Sequence, residues 1–137
     1  MAFEKTVEIS FGDCDPAGIV FYPNYFRWFD ATFQALLKTR GHDQGTLREL
    51  LGTIGTGLMD VGATFRAPAS FGDTLTVRLT GIDWTDRTFR VGYQGFVGER
   101  MVVEGHELRG VFVKEGDRLK AAPVGELRQL IEDAVGA

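Results

Sequence analysis

The chain changes its hydrophobic period once, and that single change limits what it can fold into. Tyr22, Phe26, Phe29, Phe33, Leu36 and Leu37 recur at spacings of three and four, which places them on one face of a helix. Lys38, Arg40 and then Gly41 supply its C-terminal stop. Pro23 fits its first turn, where a missing N–H costs nothing. From Leu58 onward the period is two, and residues 58–67, 74–84, 88–97, 101–114 and 119–122 read as strands. The turns between them, at 70–73, 86–87, 98–100 and 115–117, are too short for parallel crossovers, so consecutive strands must pair antiparallel. Residues 5–11 add a half-buried strand ahead of the helix, with Val7, Ile9 and Phe11 alternating against Thr6, Glu8 and Ser10. Thr46, with Glu49 three residues later, looks like a capping box for a short helix through Leu51. Residues 125–135 carry Leu127, Leu130, Ile131 and Ala134 at helical spacing. One aromatic-faced helix packed on one curved sheet of five or six strands is an α+β domain.

Composition narrows the function classes. A length of 137 residues predicts one domain over 1–137, large enough to bury a core without staples. No run approaches the ~20 apolar residues of a membrane-spanning helix. A net charge of -4 argues against nucleic acid as a partner. One cysteine excludes an intrachain disulfide and a Cys-rich zinc site. Residues 1–11 contain Glu4, Lys5 and Glu8 and no apolar core segment, so no signal peptide is expected and the chain reads as cytoplasmic. Arginine dominates the 15 basic residues, lysine being confined to Lys5, Lys38, Lys114 and Lys120, and arginine suits bidentate binding of phosphate or carboxylate.

The chemistry-bearing stretch is GDCDPAGIVFYPNYFRWFD, residues 12–30. Asp13 and Asp15 sit in a Gly/Pro loop just ahead of the helix. A helix N-terminus offers free N–H groups and a positive dipole end, which can hold an oxyanion as a carbonyl is attacked. A carboxylate beside it can act as nucleophile or as general base on water. The same two acids could equally be turn formers at a helix entry. A calcium loop is excluded, because Ala17 and Asn24 stand where ligands are required. Phosphate-loop, dinucleotide and zinc-protease motifs are absent, and His42 and His106 are too few for a histidine metal cluster. Acids flank Cys14 and disfavour its thiolate.

The segment FGDCDPAGIVFYPNYFRWFDA closely resembles the 4-hydroxybenzoyl-CoA thioesterases of the hot-dog fold. The D-x-D-x-x-G-x-V-x-[YF] pattern is the general signature of such acyl-CoA thioesterases, and Pro-Asn-Tyr with the helix Asp resembles the aromatic acyl branch. Weaker likeness continues through residues 54–56, 63–65, 84–89 and 116–121. The resemblance implies a long central helix wrapped by the antiparallel sheet, edge-to-edge dimers paired into tetramers, and active sites at the subunit interface. It implies Asp15 as the catalytic carboxylate, Asp13 as a structural loop residue, the Tyr22 backbone N–H as donor to the thioester carbonyl, and Gly18 as the residue that lets the loop approach. It implies Asp30 as acceptor for a para hydroxyl and Thr56 as a pocket-lining residue. It further implies Arg87, Arg118 and Lys120 as contacts of the coenzyme A phosphates. No metal is implied, and no cofactor beyond the coenzyme A of the substrate.

Two departures from the family pattern bear on specificity. Residues 41–46 contain no tryptophan, so benzoyl, phenylacetyl, other hydroxyaryl and short or branched aliphatic acyl groups all stay open. Asp86 replaces a positive charge beside Arg87, which predicts a looser, salt-sensitive grip on the nucleotide. The expected activity is acyl-CoA thioester hydrolysis. The competing readings are a non-catalytic acyl-CoA-binding or scaffolding module and, last, a dehydratase, which would need a histidine that this helix lacks.

Overall fold

Period-two segments joined by short turns form one six-stranded antiparallel sheet in the computed structural model. The structure describes residues 3–136, with side chains through Glu132; the outermost residues of the predicted 1–137 domain, and Ala134 of the predicted last helical face, lie outside that description. In chain order the elements are β1 (Phe3–Glu8), α1 (Pro23–Thr39), α2 (Gln44–Leu51), β2 (Gly55–Phe65), β3 (Thr74–Trp84), β4 (Phe89–Val97), β5 (Arg100–Glu115), β6 (Arg118–Ala122) and α3 (Gly125–Gly136). The strand order is β1-β3-β4-β5-β2, and β6 pairs with the end of β5 beyond the reach of β4. Among the described residues β2 pairs only with β5, so its other edge is open.

Helix α1 fills the concave side. Tyr25, Trp28, Phe29, Thr32, Phe33, Leu36 and Leu37 are buried, a wider arc than the predicted stripe. The stripe's N-terminal members stay outside the core: Phe26 is half-buried and Tyr22 is exposed. Phe29 stacks on Tyr93 of β4 with centroids 4.6 Å apart. It can do so because Gly105 of β5 lies beneath it, where an added Cβ would stand 2.6 Å from both the Phe29 ring and the Gly62 carbonyl oxygen. Burying Phe29, Phe33, Leu36 and Leu37 completely contributes about 1.5–3 kcal/mol each. The helix closes as expected at Gly41: the N–H of His42 donates to Leu37 O and that of Gly41 to Lys38 O, a Schellman arrangement.

Three differences from expectation bear on the site. The first strand ends at Glu8 rather than Phe11; Phe11–Asp13 is a 3-10 turn, and Phe11 projects into solvent against Phe71. β2 begins at Gly55, three residues before the predicted start, because pairing of Gly55–Gly57 with β5 supplies order that Gly-rich residues do not advertise. The capping box of α2 is formed by Asp43 and Thr46, not Thr46 and Glu49. The Asp43 carboxylate accepts from Thr46 N at 2.8 Å, and Thr46 Oγ1 accepts from Asp43 N at 2.9 Å. This starts the helix at Gln44 and turns that side chain toward β2.

If Gly105 is what seats Phe29, Gly105→Ala destabilises the protein by about 1–3 kcal/mol in urea unfolding. Gly125→Ala, whose Cβ meets nothing within 4 Å, stays within about 0.5 kcal/mol of the parent.

Candidate functional site

The Asp15 loop is a small hairpin. Asp15 N–H donates to Ile19 O and Gly18 N–H to Asp15 O, both at 2.9 Å, with Cys14 and Val20 bridged above the turn. Gly18 takes the left-handed position, φ +83°, that closes such a three-residue loop. The Asp15 carboxylate accepts one hydrogen bond, from Ala17 N–H to Oδ1 at 2.9 Å, and is half-buried. Asp13 ties this loop to α1. Its carbonyl accepts from Phe21 N–H and from Asn24 Nδ2, both at 2.9 Å. Its carboxylate accepts from Ser10 N–H and Oγ and from Arg27. The backbone N–H of Ser10, then its hydroxyl and Arg27, hold the Asp13 carboxyl below the usual value of 3.8 against the opposing effect of burial.

Asp15 and Tyr22 line one cleft of about 560 Å³ together with Tyr25, Phe65, Arg66 and Pro68. Tyr22 is the N-cap of α1, and Pro23 follows it without an N–H. Among the described residues, no protein acceptor pairs with the Tyr22 N–H. One largely apolar cleft is thus lined both by Asp15, whose Oδ2 has no partner among the described residues, and by Tyr22, whose N–H has none.

Asp30 and Thr56 lie elsewhere. They belong to a network of polar groups at the start of β2, beside a cleft of about 410 Å³ lined by Gln34, Gln44, Thr56, Leu58 and Phe112. Gln44 Nε2 donates to Thr56 Oγ1 at 2.9 Å and to Gln34 Oε1 at 3.0 Å, and Thr56 N–H donates back to Gln44 Oε1 at 3.0 Å. Gln34 Nε2 reaches Asp30 Oδ1 at 3.3 Å. The two clefts share no lining residue. The sequence places Asp30 about two helical turns from Tyr22, but its hydrogen bonds run toward the Thr56 cleft.

Behind Asp30 stand residues that the sequence reading did not single out. Arg109 of β5 is 1% exposed and donates to Asp30 Oδ1 at 2.6 Å. It also forks onto Glu107, itself 1% exposed, through Nε and Nη2 at 3.0 Å each. Its guanidinium lies 4.5 Å from the centre of the Phe33 ring. The Tyr93 hydroxyl donates to Glu107 Oε1. Burial opposes the Arg109 charge, yet Glu107 and Asp30 outweigh it and raise its pKa. Burial and the Glu107 charge push the Tyr93 phenol up, so it stays a donor. The signal was in the chain: Glu107 and Arg109 share the alternation of Val103 and Val111, so they fall on the core face of β5.

The predicted phosphate contacts fall in two places. Arg87 donates to Ala121 O at 2.9 Å and shares a cleft with Arg128 at the start of α3, a basic residue the sequence reading passed over. Arg118 and Lys120 are exposed on β6, where Lys120 pairs with Glu115 at 3.4 Å. The Arg87 bond to Ala121 brings the two places together along β6. Among the described residues, no helix is long and apolar enough to cross a membrane, and no group of three His, Cys, Asp or Glu side chains is clustered to hold a metal ion.

Comparison with known proteins bears on the same region. The profile of the thioesterase-like superfamily matches residues 9–129. The 4-hydroxybenzoyl-CoA thioesterase of Pseudomonas sp. (strain CBS-3) is 35% identical over 125 residues, covering 85% of this chain and 86% of that protein. The 1,4-dihydroxy-2-naphthoyl-CoA hydrolase of Synechococcus sp. (strain CC9605) is 26% identical over 138 residues, covering 97% and 92%. A crystal structure of a 4-hydroxybenzoyl-CoA thioesterase mutant complexed with 4-hydroxybenzoyl-CoA superposes with a TM-score of 0.83 at 30% identity, covering 96% of this chain and 99% of that one.

Asp13 makes the loop's stability pH-dependent in a defined direction. Its folded-state pKa is depressed, so its contribution is complete above the unfolded carboxylate value and is lost as pH falls through and below it. The stability difference between the parent and Asp13→Asn is therefore expected to be constant at neutral pH and to shrink below about pH 4, read from urea midpoints along a pH series.

Proposed function

The chain belongs to the thioesterase-like superfamily and has its hot-dog fold, and from that premise we propose that it hydrolyses an aromatic acyl-CoA thioester to the free acid and coenzyme A. The observation that carries the reading is that Asp15 and Tyr22, whose N–H has no protein partner among the described residues, line the same apolar cleft. The Tyr22 N–H donates to the thioester carbonyl oxygen and stabilises the charge that gathers there as the carbon is attacked. Asp15 either attacks that carbon, giving an acyl-enzyme anhydride that water cleaves, or takes the proton of an attacking water. Either route expels the coenzyme A thiolate. Gly18 keeps the loop narrow enough for the carboxylate to reach. These steps need a carboxylate, a donor and water, and the proposal includes no metal or separate cofactor.

The acyl end is supplied by a second copy. Thr56 and Phe65 mark opposite ends of β2, nine residues apart, which is ~30 Å of strand. One chain therefore cannot bring its Thr56 cleft to its own Asp15 cleft. The open edge of β2 carries the half-exposed apolar residues Leu58, Met59, Val61 and Phe65, and such an edge invites pairing. Two copies joined antiparallel along β2 place the Thr56 end of each beside the Phe65 end of the other. The site then combines Asp15, Gly18 and Tyr22 of one chain with Asp30 and Thr56 from its partner. Arg87, Arg118 and Lys120 meet the coenzyme A phosphates, and pairing of such dimers gives a tetramer. The named relatives act on hydroxylated aromatic acyl-CoAs, and the Thr56 cleft, where Gln34, Gln44 and Thr56 sit among Leu58 and Phe112, suits the same class.

Thiol release from a panel of aryl and aliphatic acyl-CoA substrates tests the reading. Asp15→Asn is expected to lower kcat on aryl substrates by about 10²–10⁴-fold with an unchanged circular dichroism spectrum. Acyl-CoA binding without turnover, indifferent to Asp15→Asn, would replace the enzyme by a binding module. Sedimentation equilibrium is expected to give a mass of two or four chains.

A further inference from the structure

Two observations about Asp30 need a common explanation. Its Oδ1 is used twice, by Arg109 and by Gln34, while among the described residues nothing bonds Oδ2. Its side chain is 46% exposed, whereas Arg109 behind it is 2% exposed. A buried arginine usually needs one anion, and Glu107 already meets it with two hydrogen bonds. Arg109 nevertheless spends one N–H on Asp30. The guanidinium is immobile, held by Glu107 on one side and by the Phe33 face on the other. Glu107 is held in turn by the Tyr93 hydroxyl.

We propose that Arg109, clamped by Glu107, is the positioning residue that fixes Asp30 as an acceptor with Oδ2 turned outward, and thereby selects acyl groups bearing a neutral hydroxyl. This rests on the reading of Asp30 as part of the acyl pocket. The charges explain the selectivity. Asp30 and Glu107 carry two negative charges against one on Arg109, so the cluster is net anionic and accepts a donor while repelling a second carboxylate. A ring without a hydroxyl leaves Oδ2 desolvated and unpaired, which is the strong form of discrimination. A ring bearing a carboxylate meets repulsion.

The test compares kcat/KM on 4-hydroxybenzoyl-CoA, benzoyl-CoA and 4-carboxybenzoyl-CoA. Arg109→Met alone would strand the buried Glu107 charge, so the variant is Glu107→Gln/Arg109→Met, which removes both charges at similar volume. It is expected to lower the hydroxybenzoyl-to-benzoyl ratio by about tenfold or more, chiefly through KM. Adding Asp30→Asn to it should lower the ratio less than about twofold further, because the two changes disable one device. The parent should discriminate against the carboxybenzoyl substrate, and the double variant less so. If the double variant does not fold, Arg109→Lys is read against the same threshold, since a single ammonium cannot serve both carboxylates in the guanidinium's geometry. A ratio that falls in Asp30→Asn but is retained within about threefold in the folded Arg109 variant overturns this proposal alone. A ratio indifferent to Asp30→Asn overturns the acyl-pocket reading and this proposal with it.

Discussion

Phe29 stacked on Tyr93 above the bare backbone of Gly105 seats helix α1 in the sheet, and both halves of the candidate site hang from that helix. Its N-cap Tyr22 lines the cleft that Asp15 also lines, and its middle presents Asp30 to Arg109. A side chain at position 105 would lift the helix and shift both ends together. The same ring pair also touches chemistry, because the Tyr93 hydroxyl ends in the Glu107–Arg109 pair. Core packing and site geometry therefore share residues.

The loop ahead of α1 needs separate fixing, since a helix N-terminus alone does not hold the Asp15 carboxylate at the cleft. Asp13 does this work with its carbonyl on Phe21 and Asn24 and its carboxylate on Ser10 and Arg27. Asp15, two residues on, makes a single local bond among the described residues and keeps an oxygen unpaired there. Two acids of the same type in one loop thus have different environments: one saturated and structural, the other spare and available.

Much of this was legible in the sequence. Alternating side chains locate β3, β4 and β5 almost to the residue, because each strand has one wet and one dry face. That Asp15 and Tyr22 line one cleft was legible, because turn residues and a helix start stand next to each other in the chain and a family likeness runs through them. The start of β2 was not legible, because Gly55, Thr56 and Gly57 are ordered by their partners on β5. Nor was the Arg109 cluster, whose anions lie two residues away on β5 and 79 residues away on α1; only the charge at a core-facing strand position hinted at it. The resemblance implied a site at a subunit interface, but the spacing along α1 suggests one cleft for Asp30 and Tyr22, whereas hydrogen bonding turns Asp30 toward the other.

A site built across two copies makes its most distinctive demand in mixed dimers. Asp15→Asn and Asp30→Asn chains, dissociated together and reassociated, should regain hydroxybenzoyl-CoA hydrolysis approaching a quarter of the parent's. Half of the random dimers are mixed, and one of the two sites in each joins an intact Asp15 to an intact Asp30. Activity no higher than the mean of the two separate variants, from protein in which one variant is isotope-labelled and mass spectrometry shows mixed dimers, would contradict the shared site and place the whole of it within one chain.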